Sequence, residues 1–329
     1  MMPIRAFQVP NDLPVLLDLI PKAFQYPENK EWSIQDDEVE NMVDDISSIQ
    51  KMWPVIRILQ VFVPSLRDIL RGFVWEEDSQ VVGLVNVMRQ GRTEQWTIGN
   101  VAVLPEYRRR GIARKLVEAC IDFAKERGAK TIVLDVVAGN VPAYELYERL
   151  GFERYSGSKE LMLEKDQTIK GISLPAEYRL ERLKFSEWQP RFEIAKRITP
   201  DTVQHFKPVE EKRYKVPLLM QPLIPLFMRL GGVRTTPYKI YHHNELVGTG
   251  ALTTRRSEGG VNSFSLNLDP DYADIAPKLL QKFVFDIQMQ SPGRRIEFSV
   301  PYWQGSVSEA AQHVGFDTHF EYHAMGMVV

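Results

Sequence analysis

Six consecutive residues, Arg108-Arg109-Arg110-Gly111-Ile112-Ala113, place three guanidinium groups and two small residues where an apolar, strand-like run (98–104) gives way to an amphipathic helix. A strand that turns into a helix through small residues makes an anion cradle. The first N–H groups of a helix have no intrahelical acceptor, and the macrodipole adds about half a positive charge at that end. Gly111 and Ala113 leave the backbone uncovered, so a pyrophosphate can approach it closely, and arginine offers planar forks to phosphate oxygens. The chemistry expected is recognition of a phosphorylated ligand. A solvated basic helix start is the plainer reading of the same residues.

The elements that hold this turn follow from the pattern around it. Residues 4–9 read as a short strand, and from Asp12 a helical pattern runs through Leu13, Leu16, Leu17 and Ile20 toward residues 21–26. Residues 28–45 are rich in acid (Asp36, Asp37, Glu38, Glu40, Asp44, Asp45), a composition typical of a solvated helix face. Two strands, 71–75 and 80–89, carry β-branched residues on either side of a polar turn. The next strand, 95–104, ends at Pro105. The helix of about 110–127 stacks Ile112, Leu116, Ala119, Cys120 and Phe123 on one stripe and closes at Gly128, a left-handed cap. A β-branched strand, 131–137, leads to a short helix, 140–150, with Pro142 in its first turn. Gly151-Phe152 ends that helix and opens a hairpin, 152–156 with 161–164.

The chain has 329 residues, 41 basic and 43 acidic, for a formal net charge of −2. That is enough chain for two domains, and the balance speaks against general nucleic-acid binding, which needs a strongly basic surface. The single cysteine, Cys120, rules out an intrachain disulfide and a cysteine-built zinc site, and on its helix it reads as a packed small side chain. Residues 1–10 lack the apolar core of a signal peptide. The most apolar stretch, 216–230, is interrupted by Pro217, Pro222 and Pro225 and is too short to span a membrane. Core packing is expected for that stretch, and cytoplasmic residence for the chain.

With its strand and helix in place, the arginine turn resembles the pyrophosphate loop Arg/Gln-x-x-Gly-x-Gly/Ala of the GCN5-related N-acetyltransferase (GNAT) family, here Arg108-x-x-Gly111-x-Ala113. A second segment, Asn140-x-x-Ala143-x-x-Leu146-Tyr147-x-x-x-Gly151-Phe152, resembles the family's asparagine and tyrosine helix. The loop alone is a weak signal; both motifs in order, with a strand between them, carry the resemblance over residues 1 to about 165.

The resemblance implies an α+β fold, a mixed and mostly antiparallel sheet flanked by helices, with a strand pair splayed at the acetyl-CoA site. It implies acetyl-CoA as cosubstrate, no metal, and direct acetyl transfer to an amine. Cofactor contacts then fall to Val101, Ala102 and Val103 on the splayed strand and to Arg108, Arg109, Arg110, Gly111, Ile112, Ala113 and Arg114 in the loop and first helical turn. Asn140, Ala143, Tyr144 and Tyr147 supply the rest from the second motif. A backbone N–H of the strand, with Val101 as candidate, would stabilise the tetrahedral oxyanion; loss of one such donor typically costs about 3 kcal/mol. Tyr147 is expected to protonate or hydrogen-bond the departing thiolate. Asn140 equally suits a helix cap, which needs no cofactor.

The general base departs from the family's pattern. Several members carry a glutamate mid-strand where this chain has Gln95 and Thr97, which leaves Glu94 at the strand's start as the candidate carboxylate. Water chains or an acid from residues 28–45 are the alternatives, and the charge of that region favours a cationic amine. The acceptor implied is a primary amine of a small molecule or peptide, with neither nucleic acid nor membrane as partner, in a monomer or homodimer. A non-catalytic acyl-CoA-binding or scaffolding protein is the alternative from another class.

The second half repeats the first with little identity. Val82-Gly83, Pro105, Tyr107 and Gly128 are echoed 165 positions later by Val247-Gly248, Pro270, Tyr272 and Gly293, and Gly151-Phe152 by Gly315-Phe316 at an offset of 164. The loop is not repeated: its positions hold Ala273, Ala276, Pro277 and Lys278, and Tyr147 falls on Ala311. The expected organisation is two tandem GNAT-like domains, an active one over 1–165 and a degenerate one over 178–329, joined by residues 166–177. All six histidines lie in the second half. His319 and His323 fall on a terminal strand, where that spacing separates them by about 13 Å; His242 and His243 sit beside a turn.

Overall fold

The computed structural model describes residues 3–25, 33–63, 67–68, 71–256 and 260–329. Two compact units divide the chain: Met1–Ser156 with His205–Pro208 and His323–Val329, and Gly157–Gln204 with Val209–Tyr322.

Unit one opens with β1 (Ile4–Ala6), α1 (Leu13–Ala23) and α2 (Asp36–Phe62). It continues through β2 (Arg71–Glu77), β3 (Gln80–Arg89), β4 (Gln95–Val103), α3 (Ile112–Glu126), β5 (Thr131–Val137) and α4 (Val141–Arg149), and it enters β6 (Glu153–Leu163). Strands β1 to β4 are antiparallel neighbours in chain order, and β5 is parallel to β4, with α3 as the crossover that a parallel pair requires. Beyond β5 the sheet is extended by the C-terminal residues of the chain, where the Val329 N–H donates to the Lys130 carbonyl at 3.0 Å.

Two helices cover this sheet because their apolar residues recur at helical spacing. Leu13, Leu16, Leu19 and Ile20 of α1, and Ile112, Leu116, Val117, Cys120, Ile121 and Ala124 of α3, are buried against Val82, Leu84, Trp96, Ile98 and Ile132. Each large side chain so buried contributes about 1.5–3 kcal/mol. The start of α1 is fixed electrostatically. Arg5 grips Asp12 through two bonds of 2.7 and 3.0 Å and reaches Glu76 at 2.8 Å, while the Gln8 N–H donates to Asp12 at 2.7 Å. Burial disfavours a charged Asp12, and these donors outweigh it, holding the carboxyl below the usual carboxylate range. Asp36, Asp37 and Glu38 occupy the first turn of α2, where acids complement the macrodipole, and Glu38 accepts from the Gln35 N–H at 2.6 Å.

Unit two contains β7 (Tyr178–Arg182), the helices α5 (Gln189–Ile198), α6 (Asp201–Gln204), α7 (Glu211–Tyr214) and α8 (Leu223–Leu230), then β8 (Val233–His242), β9 (Glu245–Arg255), β10 (Asn262–Leu268), α9 (Ala276–Gln290), β11 (Ile296–Pro301) and α10 (Gly305–Val314). The last strand, β12 (Asp317–Val328), begins in this unit and ends in unit one. Its order repeats that of unit one: β7 to β10 are antiparallel in sequence, and β11 is parallel to β10. Gly128 and Gly293 take matching left-handed conformations after α3 and α9 (φ 75° and 71°).

Three expectations are corrected. The hairpin at 152–164 is a single strand, β6, running straight through Gly157. Glycine serves close approach there, since a Cβ would lie 2.3 Å from the Tyr302 ring and 2.4 Å from the Tyr322 carbonyl oxygen. The compact units do not divide at 165 and 178, because Ser158–Leu163 pair residue by residue with β11 and so belong to unit two. The apolar stretch 216–230 is core only at Met220: α8 has no buried residue, and Leu218, Leu219, Leu226 and Leu230 are exposed in this proline-broken segment. Among the described residues, no helix is long and apolar enough to cross a membrane.

Candidate active site

The site begins where β4 and β5 part. They pair only at Gln95–Thr131, Trp96–Ile132 and Thr97–Val133, although β4 runs on to Val103 and β5 to Val137. The far half of β4 therefore keeps backbone groups that β5 does not use. A bulge bends it: opposite Leu84 and Asn86 on β3 stand Ala102 and Gly99, one residue more on β4 than on β3. Asn100 adopts a left-handed φ of 51° within the bulge, and its side-chain amide donates to the Asn86 Oδ1 at 3.0 Å. Asn86 is 4% exposed, a buried polar residue in an otherwise apolar strand.

Pro105 ends the strand in a short 3₁₀ turn, and Arg108–Gly111 then lead into α3. Arg109 and Gly111 are both left-handed (φ 64° and 77°), and Gly111 is the N-cap, with no side chain over the first helical turn. The three arginines have separate tasks. Arg108 is a clamp, its guanidinium donating to the carbonyls of Val103 (3.3 Å) and Ala23 (2.8 Å) and so tying the end of α1 to the end of β4. Arg110 turns outward, stacking over Tyr107 and lying 3.7 Å from Glu77. Arg109 has no partner among the described residues.

Across the opening, Asn140 caps α4, its side-chain oxygen accepting the Ala143 N–H at 3.3 Å. The helix presents Tyr147, 6% exposed and edge-on to Phe152 at 6.2 Å. These pieces enclose one cavity of about 710 Å³, lined by Val101, Ala102 and Val103, by Arg108, Arg109, Gly111, Ile112, Ala113 and Arg114, and by Asn140, Ala143 and Tyr147. Ala23, Tyr107, Gly139, Pro142, Glu145, Leu146 and Arg149 complete the lining. The volume suits a ligand of cofactor size.

Three residues expected at the site are elsewhere. Glu94 precedes β4 and holds Lys130 at 2.6 Å, outside the cavity lining. Tyr144 turns its ring toward His323 (5.9 Å), and Arg110 is engaged as described, so neither lines the cavity. Among the described residues Glu145 is the one carboxylate in the lining, and it is bound to Arg149 at 2.7 Å. No acid of residues 33–45 lines it, and residues 26–32 lie outside the described residues. Cys120 is fully buried, and burial pushes its thiol up, which suits packing and not nucleophilic chemistry. Asn86, which holds the β4 bulge through Asn100, is the position that spacing did not reveal. Its one sequence signal is polarity inside Val81–Val87.

Residues 32–152 match the Acetyltransferase (GNAT) family. N-alpha-acetyltransferase 30 of Schizosaccharomyces pombe is 41% identical over 87 residues, 26% of this chain and 58% of that protein. The [Ribosomal protein bS18]-alanine N-acetyltransferase of Escherichia coli K12 is 46% identical over 59 residues, 18% of this chain and 40% of that one. The chain thus spans about two fifths to three fifths of the length of these relatives. A solved tandem GNAT protein from the clavulanic acid biosynthesis pathway superposes with a TM-score of 0.64 at 14% identity, covering 99% of this chain and 98% of its own, a likeness of fold. Residues 32–152 thus carry the match to the GNAT family, and the whole chain shares the tandem GNAT fold.

Within the GNAT fold, unit two repeats the splayed strands and lacks the site. The β10–β11 pairing stops at Phe264–Phe298, yet Gln304, 3% exposed, places its Nε2 3.4 Å from the Leu268 carbonyl, the residue 165 positions after Val103. At the offset of 165 the three loop arginines of unit one fall on Ala273, Asp274 and Ile275, and Pro277 removes an N–H from the first turn of α9.

Proposed function

We propose that this protein is a cytoplasmic, acetyl-CoA-dependent N-acetyltransferase whose active site lies in unit one and whose acceptor is a primary amine of a small molecule or peptide. The observation that carries the reading is the convergence of the bulged end of β4, the uncapped N-terminus of α3 and Tyr147 on one cavity. The α3 N-terminus and Arg109 suit the pyrophosphate, and the unused backbone of Val101–Val103 suits an amide-bearing arm laid along it as a further strand. The amine nitrogen attacks the thioester carbonyl, the C–S bond breaks, and the thiolate takes a proton from Tyr147. The Val101 N–H is assigned to the oxyanion. With Glu94 outside the cavity and Glu145 paired, water carries the amine's proton away. The two curated relatives are named for α-amino or alanine acceptors, which supports an amine as the nucleophile.

A non-catalytic acyl-CoA binder is the second reading, favoured by the lack of an unpaired carboxylate in the described lining. Two measurements separate them. Calorimetric titration with CoA is expected to give one site per chain, since unit two lacks the loop, and two equivalent sites would overturn that assignment. Free-thiol release from acetyl-CoA across a panel of amines is expected to detect turnover, and Tyr147→Phe to lower it about a hundredfold or more with CoA affinity retained. Tight CoA binding with no turnover on any amine sinks the enzyme reading.

A further inference from the structure

Unit two carries a cavity of its own, about 460 Å³, between the start of β8, the end of β9, α8 and the last turn of α9. Four arginines line it: Arg229 from α8, Arg234 from β8, and Arg255 and Arg256 from the end of β9. No carboxylate is among the described lining residues. Strand register brings the cations together. Arg234 pairs with Thr254 and Val233 with Arg255, and the Arg256 N–H donates to the Gly232 carbonyl at 2.9 Å, which holds the chain end against the base of β8.

Two other arginines of the unit are held: Arg197 is bound to Asp269 at 2.8 Å, and Arg179 donates to the His243 carbonyl at 2.7 Å. The guanidinium groups of Arg229, Arg234 and Arg256, by contrast, have no ion pair or hydrogen bond among the described residues. A fifth arginine backs the cluster, Arg294 donating to the Arg255 carbonyl at 2.7 Å. Since the whole chain has a formal net charge of −2, this concentration is local and not a general surplus of base. Converged like charges repel, and because Arg229, Arg234 and Arg256 are exposed, solvent screens part of that repulsion and leaves the guanidiniums accessible to a ligand. A bound anion reverses the sign of the interaction, because guanidinium forks donate to phosphate oxygens two at a time.

We propose that this cavity binds a small polyanion bearing two or more phosphate groups, with Arg229, Arg234 and Arg256 as its direct partners. The volume lies in the range of small-molecule sites. Met228, Pro225 and Val233 give it an apolar side that an organic moiety can cover, and Thr235 and Gln290 add neutral polar groups. The inference does not rest on acetyl transfer in unit one, since none of its residues belongs to that cavity.

The test uses the full chain and inorganic pyrophosphate, titrated by calorimetry at constant ionic strength. Three proteins are compared: wild type, Arg229→Ser/Arg234→Ser, and Arg109→Ser/Arg114→Ser, the last removing the competing cations of unit one. Pyrophosphate is expected to bind the unit-one variant as it binds wild type at this site. The unit-two variant is expected to bind at least tenfold more weakly, while its CoA-dependent turnover stays unchanged and its ligand-free melting temperature at low salt does not fall, because removing unpartnered like charges relieves repulsion. Equal pyrophosphate affinity in wild type and the unit-two variant would overturn the proposal. So would reproduction of the binding heat by sodium chloride, or equal affinity for citrate, which would make the site indifferent to phosphate.

Discussion

Asn86→Ala tests whether the bulge in β4 is an adjusted part of the catalytic apparatus. The substitution removes the acceptor of a 3.0 Å bond from Asn100, and a neutral hydrogen bond contributes about 1 kcal/mol net. The second contact of Asn86, to the Arg71 carbonyl at 3.5 Å, is too long to add much. With a small void at a site only 4% exposed, the loss of stability comes to about 1–2 kcal/mol. Asn100 sits at φ 51°, a conformation that costs a non-glycine residue about 1–2 kcal/mol, so release of its side chain lets the backbone relax and moves the adjoining Val101 N–H. Loss of that donor is worth about 3 kcal/mol, roughly a hundredfold in kcat. Steady-state thiol release with a reactive amine, together with calorimetric CoA binding, separates the two effects: kcat falls and the CoA Kd stays within about threefold, since the pyrophosphate loop is untouched. Asn100→Gly is the control. It loses the same bond, yet glycine holds φ 51° without strain, so its kcat falls less. A kcat for folded Asn86→Ala within about threefold of wild type would refute the reasoning.

Other consequences follow from the same geometry. Gly111→Val meets no steric neighbour, but at φ 77° it strains the loop by about 1–2 kcal/mol and covers the first turn of α3, so the CoA Kd is expected to rise about tenfold or more by calorimetry. Asp12 has its folded pKa depressed, so its stabilisation is present above the unfolded value of about 4 and is lost as pH falls through the lower folded value. Urea titrations should therefore find Asp12→Asn about 1–3 kcal/mol less stable than wild type at neutral pH, with the difference shrinking as pH falls below about 4. Cys120, buried and with its thiol pushed up, should resist thiol reagents at pH 8 in the native protein and react once per chain in denaturant, as followed by absorbance.

What the sequence disclosed of this site is what neighbouring residues decide. Pro105 ends β4, Gly111 and Gly128 bracket α3, and Asn140 with Pro142 starts α4, because caps and breakers act within one turn of chain. What depends on pairing across the chain was hidden. Three adjacent arginines look equivalent in sequence, and only the fold gives Arg108 the carbonyl of Ala23, 85 residues away, and leaves Arg109 to the cavity. Gly157 reads as a turn until Tyr302 closes on it, and Tyr144 reads as a wall of the site until His323 draws it aside. Glu94 kept the chemistry of a base and lacked the position, its carboxylate being held by Lys130.

The seven residues His323–Val329 lie beside β5 in unit one, whose other strands come before residue 164, and His205–Pro208 join the same unit. During synthesis, therefore, the unit that holds the Arg109 cavity leaves the ribosome with one side of β5 bare until residues 323–329 follow. A nascent or truncated product ending within unit two has the loop, the bulge and Tyr147 but not the strand that covers β5. Truncation before residue 323 should then yield an aggregating protein, so the folding of the first half depends on residues more than 150 positions further along the chain.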